Sequence, residues 1–476
     1  MKRVYIDSNV FRFLKKRDND FYSKLYNDLN KLADRFIYYF SHAHILDLTR
    51  DKTDHKFDDL KFMEEFVKSN YLFLPHKKNV LNVQIATPTE AFQGQDESKP
   101  LKEYFNFGEL FDDKLLSESP EMVTAKETLN KLMGTTFKVD LKSNLEGQPE
   151  GIKNLWRKLV PELKDEYKFS EWLDHMSDMF DNIYEDKSIY KDIRRHSLEN
   201  LDLTKKYNID ISSFSFDEDL KNTPLQKSFL ELVEESISHN KDNQDQREFN
   251  YFITAFNLLN ILGIDKESNS KAQFANTIHD SQHAFYAAHC DYLVSDDEGL
   301  ILKAKVLYKL LEIETNALTI DEFGKFIDVI AGQNDLNING YLKFLQFELK
   351  NTLIIDKKYS LKYNREYITF KTSAYHFGYF NRFDFIDDKD EGQFYVFYNG
   401  TKNYSRFISY VELEFITNRI VALFGKDNYF KGKYTSEDTK AIGEGTWQGR
   451  TWIINEMEFI LEYNIGKNKL CFTIEL

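Results

Sequence analysis

The stretch VYIDSNV, residues 4–10, opens the chain with an apolar run that ends in an acid. A second apolar run, FIYYF at residues 36–40, follows a charged amphipathic stretch at residues 19–34. Short apolar runs predict buried strands, and the three- and four-residue spacing of apolar residues between them predicts a helix. The chain therefore opens with a β-α-β unit in which Asp7 stands at the end of the first strand.

The same α/β character returns near residue 277, with a helix, the strand-like run DYLVS, the turn DDEG, a second helix, the short strand NALTI and a last helix from Asp321. The long segment between the two α/β pieces has helical spacing, and the last 125 residues alternate aromatic and polar residues around glycine turns. We therefore expect an α/β domain with a parallel sheet and flanking helices, interrupted by a mainly helical insertion and followed by an antiparallel β-rich domain. The predicted parts are residues 1–50 with 271–330, 51–270, 331–351 as a helical linker, and 352–476.

The chain has 476 residues and a formal charge of −15, from 63 basic and 78 acidic residues. Residues 51–270 carry about −14 of that charge by subtraction of the other segments, so the insertion is acidic. A net acidic chain is not typical of a general nucleic-acid coat protein. Only two cysteines are present, which excludes a disulfide scaffold. The start does not resemble a signal peptide and no long apolar run follows, so we expect a cytoplasmic protein without a membrane partner.

Acidic side chains stand where the predicted strands end. Asp7 ends the first strand, Asp47 lies six residues after Ser41, and Asp296 and Asp297 follow the strand DYLVS. Parallel α/β sheets place functional groups outside the carboxyl ends of their strands. Converging carboxylates repel one another unless a cation neutralises them, and oxygen ligands suit Mg²⁺ or Mn²⁺. Such a site invites hydrolysis of phosphodiester bonds.

In these stretches the sequence resembles the PIN-domain superfamily of metal-dependent nucleases. VYIDSNV matches the family pattern hhhDtNv, so the resemblance implies that Asp7 is the first metal ligand. FSHAHILDL, residues 40–48, matches the second pattern with Asp47 where the family usually has Glu. DSQHAFYAAHCDYLVSDDEGL, residues 280–300, matches the third and fourth patterns and implies Asp280 and Asp297 as further ligands.

The resemblance covers about 110 residues, and the insertion between its two blocks is much longer than the family usually carries. It implies four catalytic, metal-binding acids, with Asp296 as a substitute for Asp297. Asn9, Ser281 and Ser295 would orient ligands or waters from the second shell. His283 occupies a position where the family usually has an apolar residue.

The resemblance alone implies RNA as the likelier substrate over DNA, and a role as a toxin or anti-phage effector. The added domains suggest regulation by a partner protein or a ligand, for example through the acidic insertion covering basic residues near the site. Those basic residues, which follow the first strand and would track a nucleic-acid backbone, are Arg12, Lys15, Lys16 and Arg17. A solvated basic face is the alternative, and a homo-oligomer is left open.

Other interpretations of the same residues remain open. A single Asp at a strand end is commonly a helix N-cap, and a PIN-like fold can serve as an inactive scaffold or sensor. HDSQH, residues 279–283, resembles the zinc-protease pattern HExxH with Asp for Glu, which would predict stoichiometric zinc. We expect His283 to be a packed helix residue, and His42, His44 and His289 to be exposed.

The C-terminal stretch around Trp447, Arg450 and Trp452 offers aromatic faces beside a cation. Such a group stacks on bases or on a ligand, or else it forms a packed β-turn.

Overall fold

The structure is a computed structural model of the full chain, with no long apolar helix among the described residues that would reach across a bilayer. It divides into two compact units, residues 1–90 with 283–476, and residues 91–282. The described residues are 2–75, 80–94, 136–138, 153–154, 157–158, 166–168, 187–200, 203–211, 213, 215–238, 246–263, 274–331, 337–360, 365–388, 392–403, 405, 408–464 and 469–475.

The amino-terminal part alternates strands and helices. Its elements are β1 (Lys2–Ile6), α1 (Ser8–Lys16), α2 (Asp20–Lys31), β2 (Phe36–Ser41), α3 (His42–Arg50), α4 (His55–Val67), β3 (Asn70–Phe73), β4 (Asn82–Ile85) and α5 (Pro88–Gln93). The predicted β-α-β opening is present, and the run FIYYF is buried at every position, as expected for a central parallel strand. Helix α1, directly after Asp7, was not predicted.

The second unit is mainly helical where it is described. Its elements are β5 (Thr136–Lys138), β6 (Glu166–Lys168), α6 (Lys187–Asn200), α7 (Leu203–Lys206), α8 (Phe216–Asp219), α9 (Phe229–Ser238) and α10 (Arg247–Ile261). Arg194 of α6 is fully buried and its Nε donates to the carbonyl oxygen of Asn260, 3.0 Å away. This basic side chain therefore serves the packing of α6 on α10.

The second α/β piece consists of α11 (Phe274–Ala287), β7 (Tyr292–Ser295), α12 (Glu298–Leu310), β8 (Asn316–Thr319) and α13 (Ile320–Ala331). It completes a six-stranded sheet of order β4-β3-β2-β1-β7-β8. Five strands run parallel, as predicted, and the edge strand β4 is antiparallel to β3, so the sheet is mixed rather than parallel throughout. The sheet also extends past residue 50, because β3 and β4 come from the segment expected to be insertion.

Strand β1 is where the direction of winding reverses. The chain moves from β1 to β2 and β3 on one side, and later to β7 and β8 on the other side. In open α/β sheets the crevice at such a reversal, outside the carboxyl ends of the strands, is the usual binding site. Asp7 directly follows β1 and therefore lies at that crevice.

The C-terminal part forms a seven-stranded antiparallel sheet of order β13-β14-β15-β12-β11-β10-β9, as the alternating sequence predicted. Its elements are α14 (Ile338–Asn351), β9 (Leu353–Ser360), β10 (Arg365–His376), β11 (Phe380–Asp388), β12 (Gly392–Tyr398), α15 (Tyr410–Phe424), α16 (Ser436–Gly443), β13 (Arg450–Ile454), β14 (Met457–Asn464) and β15 (Lys469–Glu475). Helices α14 and α15 pack their apolar residues into the same core as the sheet.

The stretch YVELEFIT was expected to be strand, and it is the start of α15. Ser409 and Glu412 form a capping box, which satisfies backbone N–H groups at the start of a helix. Leu413, Ile416 and Ile420 then fall on one buried face at helical spacing. The cap and this spacing outweigh the β propensity of the aromatic and β-branched residues.

A buried ion pair joins strand β1 to helix α15 of the C-terminal part. Arg3 of β1 donates from Nη2 to Glu412 of α15 at 2.7 Å, and both side chains are buried. Tyr39 of β2 lies 3.1 Å from the Ser409 hydroxyl. Arg3 precedes Asp7 by four residues, about 13 Å of extended strand. The C-terminal sheet is therefore anchored to β1 at the end opposite the acids.

Candidate metal centre

Asp7 is the most buried acid of the predicted site, with 5% of its surface exposed. It occupies the N-cap position of α1, yet its carboxylate makes no capping hydrogen bond. Instead, the hydroxyl of Ser295, at the end of β7, donates to Asp7 Oδ2 at 2.8 Å. Burial raises the pKa of Asp7, and His283 acts in the opposite direction. The N-cap interpretation therefore does not account for this carboxylate.

Asp47 comes to the same place along α3. Ser41 ends β2 and starts α3 as its N-cap, and the side chain of His44 completes the capping box in place of the usual Glu or Gln. Asp47 then lies six residues past the cap, where its Oδ2 accepts from the Ser8 hydroxyl at 2.7 Å. About a quarter of the Asp47 side chain, 23%, is exposed. This carboxylate therefore faces the opening of the crevice, while Asp7 lies deeper.

His283 of α11 is the third member of the cluster. Its Nε2 lies 2.9 Å from Asp47 Oδ2 and 3.9 Å from Asp7 Oδ1. One ligand atom from each of these three residues lies within 4.8 Å of the others. His283 is buried, as predicted, but it is directed at the two acids rather than at apolar neighbours alone. A buried carboxylate and a partly exposed one thus lie beside an imidazole, which can be neutral or positively charged.

A chain of hydrogen bonds orients the His283 ring. Tyr5 Oη lies 2.8 Å from His283 Nδ1 and 2.7 Å from Ser41 Oγ, and all three groups are buried. When His283 Nδ1 carries the hydrogen, it donates to Tyr5, and Tyr5 donates to Ser41. The lone pair of Nε2 then faces Asp7 and Asp47. A histidine that binds a metal commonly donates its other ring N–H in this manner.

His44 fixes the floor of the site. Ser41 N–H donates to His44 Nδ1 at 3.1 Å, so Nε2 carries the hydrogen and donates to the carbonyl oxygen of Ile6 at 2.8 Å. Burial lowers the pKa of His44 to about 3, which keeps the ring neutral. The expectation that His44 is exposed was wrong because the ring acts as the cap partner of α3. The same expectation was wrong for His289, which is buried against Phe285.

The remaining predicted acids are arranged differently. Asp297 is exposed, and its Oδ1 accepts from the Leu300 N–H at 2.9 Å as the N-cap of α12. Its charge nevertheless acts to raise the Asp7 pKa. Asp296 is exposed, and burial, followed by the charge of Asp321, raises its pKa. Among the described residues, the cluster of ligand atoms includes neither of them.

Asp280 lies half-buried on α11, one turn before His283, and belongs to the unit of residues 91–282. Ser281 is buried and donates back to the Ile278 carbonyl at 2.6 Å. Asn9 is exposed on α1. Of the three polar residues expected to support the acids, only Ser295 contacts one of them in the part of the chain that the structure describes.

Three of the basic residues after β1 lie on α1 beside this site, and Arg17 is the C-cap of that helix. Lys15 Nζ is 2.7 Å and Arg12 Nε 3.2 Å from the carboxylate of Asp59 on α4. The Arg17 guanidinium lies over the Tyr26 ring, 4.5 Å from its centroid, and Lys16 is exposed. Arg12 and Ser8 line the same small pocket. Asp59 therefore compensates part of the positive charge that the sequence suggested for a phosphate backbone.

The donor set fits a divalent cation. An ion bound about 2.1 Å from each ligand separates neighbouring ligand atoms by about 3 Å and opposite ones by about 4.2 Å. The separations of 2.9 Å and 3.9 Å from His283 Nε2 lie within or close to this range. Two carboxylates and an imidazole also match the ligands that Mn²⁺, Fe²⁺ and Zn²⁺ accept. Asp7, Asp47 and His283 would hold the ion.

Comparisons of the chain with protein-family models, with curated proteins and with solved structures give no match. The part of His283 in this cluster was missed because the family pattern has an apolar residue there. One signal was available in the sequence: a histidine within an apolar helix that leads into a strand ending in acids.

Proposed function

We propose that this protein is a divalent-metal-dependent nuclease that hydrolyses phosphodiester bonds at the Asp7–Asp47–His283 cluster. The observation that carries the proposal is the convergence of these three side chains at the carboxyl end of β1, where the winding of the sheet reverses. The similarity of the surrounding stretches to the PIN-domain patterns supports the same chemistry. That similarity is also the basis for preferring RNA, and for a toxin or anti-phage role.

The residues of the chain have separable parts in this reaction. Asp7, Asp47 and His283 would hold the cation, while Ser295 and Ser8 fix one oxygen of each carboxylate. The bound cation would supply a water of lowered pKa and stabilise charge on the phosphate and the leaving oxygen. Burial of Asp7 strengthens its attraction for a cation, because water does not compete for that carboxylate.

Asp297 is a candidate for holding a second cation or for positioning the substrate. Asp297 Oδ1 already caps α12, so Oδ2 is the oxygen that would face a ligand. Arg12 and Lys16 on α1 would approach the phosphates that flank the cleaved bond. We therefore expect Asp7, Asp47 and His283 to be indispensable, and Asp280 and Asp297 to contribute less.

The test is cleavage of labelled single-stranded RNA and DNA of one sequence, with Mn²⁺ or Mg²⁺, by the full chain. Asp7→Asn and His283→Gln should each reduce cleavage by about 10²–10³-fold, because each removes a group that stabilises the transition state through the ion. Asp51→Asn is the matched control, since Asp51 ends α3 four residues after Asp47 and bonds only locally to Thr53. Equal activity of all four proteins would refute the proposed site.

The main alternative is an inactive scaffold in which His283 is a structural partner of the two acids. That arrangement predicts no cleavage and no change of melting temperature with Mn²⁺. A zinc protease at His279 and His283 predicts zinc in the purified protein, which elemental analysis measures. If Mn²⁺ binds to the wild type and not to Asp7→Asn, the protein has a metal site and the metal-free scaffold is excluded.

A further inference from the structure

The loop of residues 426–433, between α15 and α16, carries the two most exposed adjacent aromatic side chains of the described chain. Tyr429 is 74% exposed and Phe430 is 83% exposed. Solvent-exposed neighbouring aromatics of this size are unfavourable in water unless a partner covers them. The loop is therefore a candidate binding surface.

The loop is held rigid from inside the fold. Asp427 is buried, and its Oδ1 accepts from the Lys431 N–H at 2.8 Å and from the Tyr429 N–H at 3.0 Å. Its Oδ2 lies 3.2 Å from the buried guanidinium of Arg450. The Asn428 N–H donates to the Thr451 carbonyl at 2.8 Å. The loop is thus fastened to β13 by two contacts, that of Asn428 with Thr451 and that of Asp427 with Arg450.

Phe430 is held in the left-handed backbone region, with φ of 61°. A bulky residue rarely adopts this conformation, and the hydrogen bonds of the loop enforce it here. A rigid aromatic pair loses little conformational entropy when a ligand packs on it. The geometry therefore favours binding to a flat surface, with little rearrangement.

The charge around the aromatic pair is positive. Lys426, Lys431 and Lys433 are exposed, while the single acid of the loop, Asp427, is buried and paired with Arg450. Within the part of the chain that the structure describes, no carboxylate lies within 4 Å of these three ammonium groups. Lysines beside exposed aromatic rings match a partner with flat apolar faces joined by anionic groups.

We propose that residues 426–433 bind single-stranded nucleic acid, with bases stacked on Tyr429 and Phe430 and phosphates beside the three lysines. In single strands the base faces are accessible, whereas in a duplex they are stacked on one another. The choice of a nucleic acid over another anionic partner rests on the proposed nuclease function. The loop would then hold a strand independently of the residues that hydrolyse it.

The sequence left two interpretations of Trp447, Arg450 and Trp452, a stacking group or a packed β-turn. The structure buries Trp452 and Arg450, and Trp447 donates from Nε1 to Asp438 at 3.0 Å. The packed interpretation therefore applies to these residues, which support the loop, and the exposed aromatic side chains are Tyr429 and Phe430 of the loop itself.

The experiment measures fluorescence anisotropy of a labelled 15-nucleotide RNA, the matching DNA and its duplex, with the full chain in EDTA so that nothing is cleaved. Tyr429→Ser combined with Phe430→Asn should weaken single-strand binding by roughly 10-fold or more. Asn is chosen at position 430 because it tolerates the left-handed backbone. Replacing the three lysines by alanine should lower the salt dependence by about 2 in log–log slope.

Phe347→Ala is the matched control, since Phe347 is also an exposed aromatic, at 58%, on α14. It should leave binding unchanged, and Tyr429→Trp should retain it. Absence of single-strand binding by the wild type, equal binding by the loop variant, or tighter binding to vesicles of anionic lipid would overturn the proposal. Cleavage with Mn²⁺ by the same proteins is measured separately. Failure of the loop to bind nucleic acid therefore leaves the proposed nuclease activity testable, and absence of cleavage leaves the proposed binding by the loop testable.

Discussion

Two buried clusters of charged side chains in the same unit neutralise their acids in different ways. In the C-terminal sheet, Arg450 pairs with Asp438 through two hydrogen bonds of 2.8 and 2.9 Å and also contacts Asp427. At the end of β1, His283 Nε2 lies 3.9 Å from Asp7 Oδ1 and 2.9 Å from Asp47 Oδ2. Arginine is permanently charged, whereas histidine changes charge near neutral pH.

The comparison indicates which cluster is a structural anchor and which is able to bind a cation. Arg450 compensates the carboxylates around it at every physiological pH and fastens a loop to its sheet. In its neutral form, His283 leaves the charge of the two carboxylates to be compensated by a cation from outside. The first arrangement is typical of a structural anchor, and the second is typical of a binding site.

The largest effect on stability is expected at the anchor. Arg450→Met should lower the free energy of unfolding by about 3–5 kcal/mol, because it leaves Asp427 and Asp438 buried without a cation. Urea denaturation gives the value. Lys440→Met is the control, since its ion pair with Glu444 is exposed and should contribute below about 0.5 kcal/mol. Similar losses for both variants would contradict the description of Arg450 as an anchor.

Addition of Mn²⁺ should stabilise the wild type by about 2.7 kcal/mol at a concentration one hundred times the dissociation constant. The increment should vanish with a chelator and in His283→Gln, because the nitrogen ligand is missing. It should persist in Arg450→Met, which leaves the ligands in place. Urea denaturation with and without the ion tests all three proteins, and an increment lost in Arg450→Met would show that the two clusters are not independent.

The hydroxyl of Tyr5 should matter through the orientation of His283. Tyr5→Phe should weaken Mn²⁺ binding by about 10–100-fold, the range for a group that orients a metal-bound histidine. Tyr38→Phe is the matched control, because Tyr38 is buried in the adjacent strand and its hydroxyl has no hydrogen-bond partner among the described residues. Titration calorimetry distinguishes the two, and equal affinities would remove Tyr5 from the site.

The smallest effect is a pH dependence without metal. An acid with a raised pKa holds its proton more tightly in the folded state, so Asp7 should cost stability as the pH rises from 3.8 through its raised pKa. Asp7→Asn should therefore be more stable than the wild type at pH 7, and the difference should disappear at pH 3. Thermal unfolding in a chelator at both pH values measures the difference; a variant less stable at pH 7 would contradict the burial argument.

The strands of the α/β sheet were predictable because buried parallel strands need continuous apolar runs. VYI and FIYYF meet this need locally, and the acids at the strand ends follow from the same stretches. Helix α15 was not predicted, since Tyr, Phe and Ile favour strands on average and the capping box at Ser409 decides otherwise. Residues 70–85 were assigned to the insertion because two short strands carry little periodic signal.

The sequence by itself determined which carboxylates lie at strand ends, because an acid that directly follows a buried apolar run marks the end of that strand. Only the tertiary structure decided which of these carboxylates caps a helix and which belongs to the candidate metal site. Asp7 and Asp297 both occupy N-cap positions, but only Asp297 uses its carboxylate as a cap. His283 joins Asp47 across 236 positions of sequence because strand order brings α11 and α3 to the same crevice. Such pairings depend on packing between distant segments, so a local pattern can indicate a candidate such as His283 but not its partner.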